Sequence, residues 1–188
     1  MRLRTTVFVL SLLVAAPAAH ADLIQNGGFE TGDFTDWNAS GDVDVTNLNL
    51  YGLGAYEGQY YAQFFGAQNT LSQTVTDTAN QALTLTFYLA NINPSGSVGV
   101  FQAYWDSQLL TFITQSQTSD WTKYSFTVTG TGNDTFYFFF LQDLQGAYWA
   151  LDDVSLVPEQ QQVPEPASFL ILATGLVMTR LRWRRGRQ

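Results

Sequence analysis

Hydrophobic and polar residues alternate along most of the chain from residue 22 onward. The clearest case is segment 82–91, where every second residue from Leu83 to Leu89 is apolar and the residues between them are Thr or Tyr. This period-two alternation is typical of a β-strand with one buried face. Segments 71–75 and 124–128 repeat it, and we find no apolar pattern with the 3.6-residue period of a helix before the C-terminal tail.

Two further patterns complete the predicted fold. Segments 98–105 and 108–114 predict a hairpin that turns at Asp106 and Ser107. Segment 136–141 is an unbroken run of Phe, Tyr and Leu, so it predicts a strand that is buried on both faces or that presents an aromatic face to a partner. About eight to ten short strands separated by Gly, Asn, Asp and Ser predict an all-β fold, an antiparallel β-sandwich of the jelly-roll type.

The first 21 residues have the composition of a secretory signal peptide. Arg2 and Arg4 precede an apolar run that ends at the small-residue site 19–21. Cleavage before Asp22 would leave a domain, residues 22–158, that is large enough for its own core. Residues 159–163 then form a short polar linker.

The tail, residues 164–188, has three parts in a fixed order. It begins with Pro164, Glu165 and Pro166, which interrupt regular secondary structure because proline lacks an amide donor. A 13-residue uncharged run follows, shorter than the roughly 17–25 residues of a spanning helix, although its flanks extend it. The basic residues at the end are Arg180, Arg182, Arg184, Arg185 and Arg187. We expect a hydrophobic, transmembrane-like helix whose arginines stay on the cytoplasmic side.

This tail closely resembles the PEP-CTERM sorting signal of Gram-negative bacteria. The resemblance implies export through the inner membrane and removal of the signal by the membrane transpeptidase exosortase. It places the domain at the cell surface or in the extracellular matrix, where PEP-CTERM proteins typically accompany exopolysaccharide production. A plain stop-transfer anchor, with the domain held outside, is the alternative, and both can apply in succession. A lipid-anchor signal would end in apolar residues, whereas this tail ends in arginines.

Charge and composition exclude several functions. Between residues 22 and 163 there are 15 acidic residues and a single basic one, Lys123, a net charge of −14. Such a surface repels nucleic acid. The chain has no Cys, its one histidine is His20 in the signal peptide, and the domain has no Arg. Ser-His-Asp and Cys-His catalysis, thiolate or imidazole zinc sites and arginine phosphate clamps are therefore excluded.

A glycosidase-like carboxylate pair is the catalytic chemistry that stays open. Most acidic residues, however, lie next to Gly, Asn, Ser or Thr, where turns and solubility explain them. We therefore expect a domain that is not an enzyme.

Three segments resemble the galactose-binding-like jelly rolls, which include several families of carbohydrate-binding module. They are NGGFETGDFTDW at 26–37, EGQYYA at 57–62 and WALDDVSL at 149–156. The resemblance covers residues 22–157 and implies that the first and last strands lie close together, with Glu30 near Asp152. It also implies a structural calcium ion between those strands.

The alternation of residues along the last strand also makes Asp152 a candidate ligand. It shares parity with Val154 and Leu156, so it points toward the core unless a bulge intervenes. A buried carboxylate needs a partner, and Ca²⁺ takes oxygen ligands in flexible geometry. The predicted site uses Glu30 and Asp152, with carbonyl oxygens of the 28–33 turn. Further candidate ligands are Asp153, Gly28 and Asp33. Alternatively, Asp152 caps backbone amides and Glu30 is solvated.

Exposed aromatic residues are candidates for a sugar platform, because carbohydrate-binding modules stack sugar rings on them. Tyr51 and Tyr56 lie in the Gly-rich segment 47–58, which predicts a loop. Tyr148 and Trp149 are adjacent in a strand, so we expect at most one of them to face the core. The expected ligand is an extracellular polysaccharide.

Trp37 and Trp105 are predicted to be core residues, because large aromatic side chains dominate cores and Trp105 shares parity with Phe101. The alternative to sugar binding is a structural or adhesive surface protein that makes protein contacts without a sugar site. A flat aromatic patch on the 136–141 strand would favour that alternative. A cleft lined by Tyr or Trp of a loop, together with Asn and Gln, would favour sugar.

Overall fold

The computed structural model describes residues 21–94, 96–142 and 147–159, in which the chain forms β-strands and no helix. The strands are β1 (Asn38–Thr46), β2 (Tyr61–Thr76), β3 (Ala82–Ile92), β4 (Gly99–Trp105), β5 (Gln108–Gln115), β6 (Ser119–Thr129), β7 (Asn133–Gln142) and β8 (Tyr148–Pro158). Within these ranges no helix is long and apolar enough to cross a membrane. The predicted signal peptide, Pro164, Glu165, Pro166 and the arginine cluster lie outside the described residues.

The strands are antiparallel and follow the order β5-β4-β7-β2-β8-β3-β6, with β1 paired to β2. Strand β2 pairs with two different strands on this path: residues 62–64 pair with β8, and residues 69–76 pair with β7. The hydrogen-bonded network therefore folds over at β2 into two layers. The first layer contains β6, β3, β8 and the start of β2, and the second contains the end of β2 with β7, β4 and β5. The predicted antiparallel β-sandwich is confirmed.

Two glycines and a buried asparagine allow β2 to bend. Gly66 has a φ of 72° and Gly41 on the neighbouring strand has a φ of 106°. A Cβ atom on Gly41 would lie 2.3 Å from Oδ1 of Asn69, so this position requires glycine. Asn69 accepts a hydrogen bond from the amide of Asp42 at 2.6 Å and donates one to the carbonyl of Phe65. The asparagine replaces the ladder hydrogen bonds that the bend interrupts.

Aromatic side chains fill the space between the two layers. Phe64 of β2 stacks on Phe140 of β7 with ring centroids 3.7 Å apart. Phe87 of β3 meets Phe138 of β7 edge to face at 5.0 Å. These rings are fully buried, and each contributes the large apolar area that makes aromatic residues dominate cores.

Alternation along β3 is confirmed, since Leu83, Leu85, Phe87 and Leu89 are all buried. Strand β7 follows the same alternation. Its residues Phe136, Phe138 and Phe140 are buried, whereas Tyr137 and Phe139 are half-buried and Leu141 is exposed. Of the two readings of segment 136–141, the structure therefore supports the one with a partly exposed aromatic face. The Asp106-Ser107 hairpin and the buried positions of Trp37 and Trp105 agree with the prediction.

A second, smaller cluster lies on the outer face of the first layer, beneath the loop of residues 47–60. This loop-covered cluster contains Leu53, Tyr61, Ala90, Ile92, Tyr148 and Ala150. The loop is fastened to the sheet by polar contacts: the indole of Trp121 donates to the carbonyl of Gly54 at 3.0 Å, and the hydroxyl of Tyr61 donates to the carbonyl of Leu48 at 3.0 Å.

Candidate functional site

Asp152 is a fully buried carboxylate on β8. Its Oδ2 accepts hydrogen bonds from the amides of Tyr56 and Glu57 at 2.8 and 3.3 Å, and its Oδ1 accepts one from the amide of Asp153 at 2.7 Å. Burial raises the pKa of Asp152 to about 7, although these hydrogen bonds act to lower it. Asp152 thus fastens the 47–60 loop to the last strand.

A β-bulge decides which way Asp152 points. Phe87 of β3 stands opposite two residues of β8, Asp153 and Val154. Asp153 has the left-handed backbone conformation, with a φ of 48°. Because a bulge shifts the alternation by one residue, Asp152 lies on the side of Ala150, whereas Val154 and Leu156 face the core between the layers. The bulge thus interrupts the alternation from which the sequence predicted that Asp152 would point toward the core. Asp152 is buried by the loop above the outer face.

Glu30 binds the same loop a few residues further along the chain. Its Oε1 accepts hydrogen bonds from the amides of Gln59 and Tyr60 at 2.8 and 2.9 Å. A Cβ atom on Gly58, which has a φ of 70°, would lie 2.3 Å from this oxygen. Glycine at position 58 therefore lets the Glu30 carboxylate reach the backbone. The two carboxylates hold consecutive parts of one segment.

Gly28 lies close to both side chains. A Cβ atom there would lie 3.8 Å from Cγ of Glu30 and 3.9 Å from Oδ1 of Asp152. The opening segment runs beside β8, since the amide of Val154 donates to the carbonyl of Gly27 at 3.0 Å. The structure thus brings Glu30, Gly28 and Asp152 together, although the opening segment is not a strand.

Asp33 and Asp153 occupy different positions. The Oδ1 of Asp33 accepts hydrogen bonds from the hydroxyl of Thr31 at 2.8 Å and the amide of Thr35 at 2.9 Å. These hydrogen bonds, with those of Thr35 first, lower the pKa of Asp33. Asp33 therefore closes its own turn, and Asp153 is the bulge residue described above.

The oxygen atoms around Gly28 are of the kind that a hard cation prefers. The raised pKa of Asp152 shows that burial disfavours its charge, and a cation beside it would offset that effect. Among the described residues no three His, Cys, Asp or Glu side chains are grouped so as to hold a metal ion. An ion at Gly28 would therefore need backbone carbonyl groups and water besides Glu30 and Asp152.

Of the predicted platform residues, Tyr51 and Tyr56 lie on the 47–60 loop, as expected. Tyr51 is 74% exposed and follows Leu50, which exchanges backbone hydrogen bonds with Leu53. Tyr56 is also exposed on one side, while its other face stacks on Tyr88 with ring centroids 3.5 Å apart. Both rings are accessible to a ligand.

Tyr148 and Trp149 are not accessible. They are only 2% and 1% exposed. Trp149 faces the core between the layers, and Tyr148 faces the loop-covered cluster. As expected, only one of the two faces the core between the layers, but Tyr148 is buried as well because the 47–60 loop covers the second face of β8. The structure therefore removes both from the candidate sugar platform.

An aromatic cleft lies on the outer face of the second layer. It has a volume of about 320 Å³ and is lined by Gln102, Tyr104, Asp106, Ser107, Tyr137 and Phe139. We refer to it as the β4–β7 cleft. None of these residues was predicted to bind sugar, although Tyr137 and Phe139 belong to the segment whose exposed face was considered for protein contact.

Strand register places these side chains together. Tyr104 stands opposite Tyr137 and Gln102 stands opposite Phe139, so all four project from the same face. The hydroxyl of Tyr104 donates to Oε1 of Gln102 at 3.0 Å. Burial raises the pKa of Tyr137, so its hydroxyl is a neutral donor at physiological pH. The cleft combines ring faces with hydrogen-bonding groups.

One carboxylate lies at an end of this cleft, and two more lie near it. Asp106 lines it, and its Oδ1 accepts a hydrogen bond from the amide of Thr135 at 2.9 Å. Asp134 is fully buried and is held by the amide and hydroxyl of Thr131 at 2.6 and 2.8 Å. The Oδ1 of Asp77 accepts from the amide of Gly132 at 2.8 Å.

These carboxylates influence one another. Desolvation first, and then Asp134, raise the pKa values of Asp77 and Asp106. Burial acts to raise the pKa of Asp134, but the hydrogen bonds that Thr131 donates, together with the proximity of Asp77 and Asp106, outweigh it, so that pKa is lowered. Acidic side chains are therefore concentrated near this end of the cleft.

A signal for this face was present in the sequence. In segment 98–105, Gln102 and Tyr104 have the opposite parity to Phe101 and Trp105, which marks them as outward-facing. In segment 136–141 the continuous aromatic run conceals the same alternation. Only the pairing of β4 with β7 shows that the two outward rows meet.

No family model matches this sequence, and no curated protein matches it. Solved structures do match the fold. TmCBM61, solved in complex with beta-1,4-galactotriose, matches with a TM-score of 0.59 and 23% identity over 74% of this chain and 99% of its own. The CBM22-1 xylan-binding domain of Paenibacillus barcinonensis Xyn10C matches with a TM-score of 0.50 and 19% identity over 78% and 99%.

An enzyme shares the fold as well. The Stig cyclase Fisc of Fischerella sp. TAU, solved in complex with (3Z)-3-(1-methyl-2-pyrrolidinylidene)-3H-indole, matches with a TM-score of 0.53 and 17% identity over 77% of this chain and 100% of its own. The chain therefore has the jelly-roll fold of carbohydrate-binding modules. Because unrelated functions occur on one fold, its function must be argued from its site.

Proposed function

We propose that this domain is a non-catalytic carbohydrate-binding module and that the β4–β7 cleft holds the polysaccharide. The observation that carries the proposal is the meeting of Tyr104, Tyr137 and Phe139 with Gln102 in one open cleft. Binding sites typically combine apolar or aromatic walls with a few polar groups that fix orientation. Sugar rings would stack on the aromatic side chains, and their hydroxyls would bond to the amide and phenol groups.

The composition of the aromatic face favours sugar over a protein partner. An apolar patch would indicate protein contact, whereas this shallow cleft carries Gln102, Ser107 and Asp106 among its rings. The solved sugar-binding neighbours add support at the level of the fold.

A structural or adhesive role is the second candidate, and one observation favours it. Phe112 of β5 is 55% exposed, and Leu109 and Leu141 are exposed near it on the same side of the second layer. Exposed apolar residues of this kind can mediate contact with other surface proteins. Self-association without any sugar binding would support this role.

Isothermal titration of the chain against extracellular polysaccharides, with β-1,4-galactan and xylan among them, tests the main proposal. We expect saturable heats with at least one polymer and recovery of that polymer at unchanged chain length. Flat heats throughout would contradict sugar binding, and shortened polymer would contradict a non-catalytic role.

We also propose that a calcium ion beside Gly28 joins the two ends of the domain. Glu30 and Asp152 would supply carboxylate oxygens, and carbonyl oxygens of the 28–33 turn would supply others. The buried, pKa-shifted carboxylate of Asp152 supports this proposal. When bound, the ion would neutralise charge and fasten the opening segment to β8, a structural role.

The proposed location rests on residues outside the described part of the chain. We propose that residues 164–188 are a sorting signal for an exosortase-type transpeptidase and that the domain acts in the extracellular matrix of a Gram-negative bacterium. Mass spectrometry of the mature protein tests this. A C-terminus near Pro164 would support processing, whereas an intact Gln188 would favour a permanent membrane anchor.

A further inference from the structure

The charges beside the β4–β7 cleft bear on which polysaccharides it can hold. Asp106 lines the cleft, and Asp134 and Asp77 interact with one another and with Asp106 around the same turn. A carboxylate accepts hydrogen bonds from hydroxyl groups but repels another anion, and the repulsion grows as the local dielectric constant falls. This end of the cleft therefore suits hydroxyl groups and opposes uronates and sulfates.

No basic side chain of the described residues lies in the cleft. Their single basic residue is Lys123 on β6, which belongs to the first layer. The Nζ atom of Lys123 lies 5.6 Å from the ring centroid of Tyr88, on β3. Strands β6 and β5 stand at opposite ends of the strand order, with β4 and β7 next to β5. None of the described side chains near the cleft could therefore bind an acidic sugar through a positive charge.

The remaining lining groups match neutral sugars. Gln102 offers an amide, Ser107 a hydroxyl, and Tyr104 and Tyr137 phenols, which together donate and accept hydrogen bonds. A cleft of about 320 Å³ is near the lower end of the usual range for ligand pockets, so it accommodates a short stretch of a chain.

We infer that the β4–β7 cleft selects uncharged polysaccharides and excludes acidic ones, with Asp106 as the residue that determines this specificity. This inference rests on the proposed function, since it assumes that the cleft binds sugar. It narrows the ligand from polysaccharides in general to neutral chains with free hydroxyl groups.

Matched polymer pairs test the inference on the full-length chain. We would compare β-1,4-galactan with the same galactan after oxidation of its C6 hydroxyls to carboxylates, and xylan with glucuronoxylan. At low ionic strength, where the screening length is about 30 Å, we expect the neutral member to bind at least about ten-fold more tightly. In about 1 M salt, where that length falls to about 3 Å, the difference should shrink markedly.

The variant Asp106→Asn separates the cleft from the overall charge of the domain. It keeps the side-chain oxygen that accepts from Thr135 and removes one negative charge beside the rings. We expect this variant to reduce, several-fold, the ratio of the affinities for the neutral and the acidic member of a pair. Asp120 is an exposed residue of β6, in the other layer. Asp120→Asn removes the same charge there and should leave the difference in affinity between the neutral and acidic polymers unchanged.

The outcomes distinguish this inference from the proposed function. If neither member of any pair binds, the proposed function fails. If the carboxylated member binds as tightly as the neutral one at low salt, sugar binding stands and the inference fails. The inference also fails if Asp120→Asn reduces the difference in affinity between the neutral and acidic polymers as much as Asp106→Asn does. The salt dependence of the unmodified protein tests it even if Asp106→Asn does not fold.

Discussion

Tyr104 of β4 stands directly opposite Tyr137 of β7, with ring centroids 5.8 Å apart and ring planes at 57°. The two rings form the aromatic part of the β4–β7 cleft nearest to Asp106. If a sugar ring stacks there, Tyr137→Ala and Tyr104→Ala should each weaken polysaccharide binding by roughly ten-fold, or about 1.4 kcal/mol. Isothermal titration measures the change.

Tyr51 supplies the matched control for that prediction. It is a highly exposed tyrosine on the 47–60 loop, and its φ of 53° suits asparagine. Tyr51→Asn should leave the affinity unchanged. If Tyr51→Asn abolishes binding while the two cleft variants do not, the site lies on the loop, where the sequence placed it.

Removal of calcium should destabilise the domain. An ion present at about 100 times its dissociation constant stabilises by about 2.7 kcal/mol, which corresponds to a melting temperature change on the order of 10 °C. We expect a chelator to lower the melting temperature of the unmodified protein and to have little effect on Asp152→Asn. Asp44→Asn, an exposed change on β1, should keep the full response. A melting temperature that does not respond to chelator would contradict the calcium site.

Stability without calcium should depend on pH through Asp152. Burial raises its pKa in the folded protein to about 7 from an ordinary value of 3.8, so the folded state binds the proton more tightly than the unfolded state. The resulting stabilisation is complete below the ordinary value and is lost as the pH rises through about 7. In chelator, the melting temperature should therefore fall more steeply between about pH 4 and 7 in the unmodified protein than in Asp152→Asn.

The comparison with Asp152→Asn isolates that residue. Asp77 and Asp106 also have raised pKa values, and they contribute equally to both proteins. Equal slopes would show that Asp152 does not titrate in this range. Added calcium should flatten the slope of the unmodified protein, because the ion favours the ionised carboxylate.

The stacked pair Phe64 and Phe140 should contribute strongly to stability, because it joins the two layers. Phe64→Ala removes a fully buried ring and should reduce the free energy of unfolding by about 3–5 kcal/mol. Phe112→Ala removes an exposed ring and should change it by no more than about 0.5 kcal/mol. Urea denaturation measures both, and similar losses for the two variants would contradict the assigned core.

The sequence determined the strand character of the chain because burial alternates with every second residue. Leu83 to Leu89 show this, since the side of each residue could be read from its neighbours along the strand. The hairpin at Asp106 and Ser107 is equally local. The segments that resemble jelly-roll ends correctly placed Glu30 near Asp152, because the resemblance carried information about a contact distant in sequence.

Tertiary structure decided everything that depends on pairing between strands or on coverage by a loop. The bulge at Asp153 reversed the side of Asp152, and the 47–60 loop buried Tyr148 although its parity points away from the main core. Tyr104 and Tyr137 are far apart in sequence, and each alone is an ordinary outward-facing residue of a strand. They form a cleft because the register of β4 and β7 sets them opposite each other, and register depends on contacts along the whole sheet.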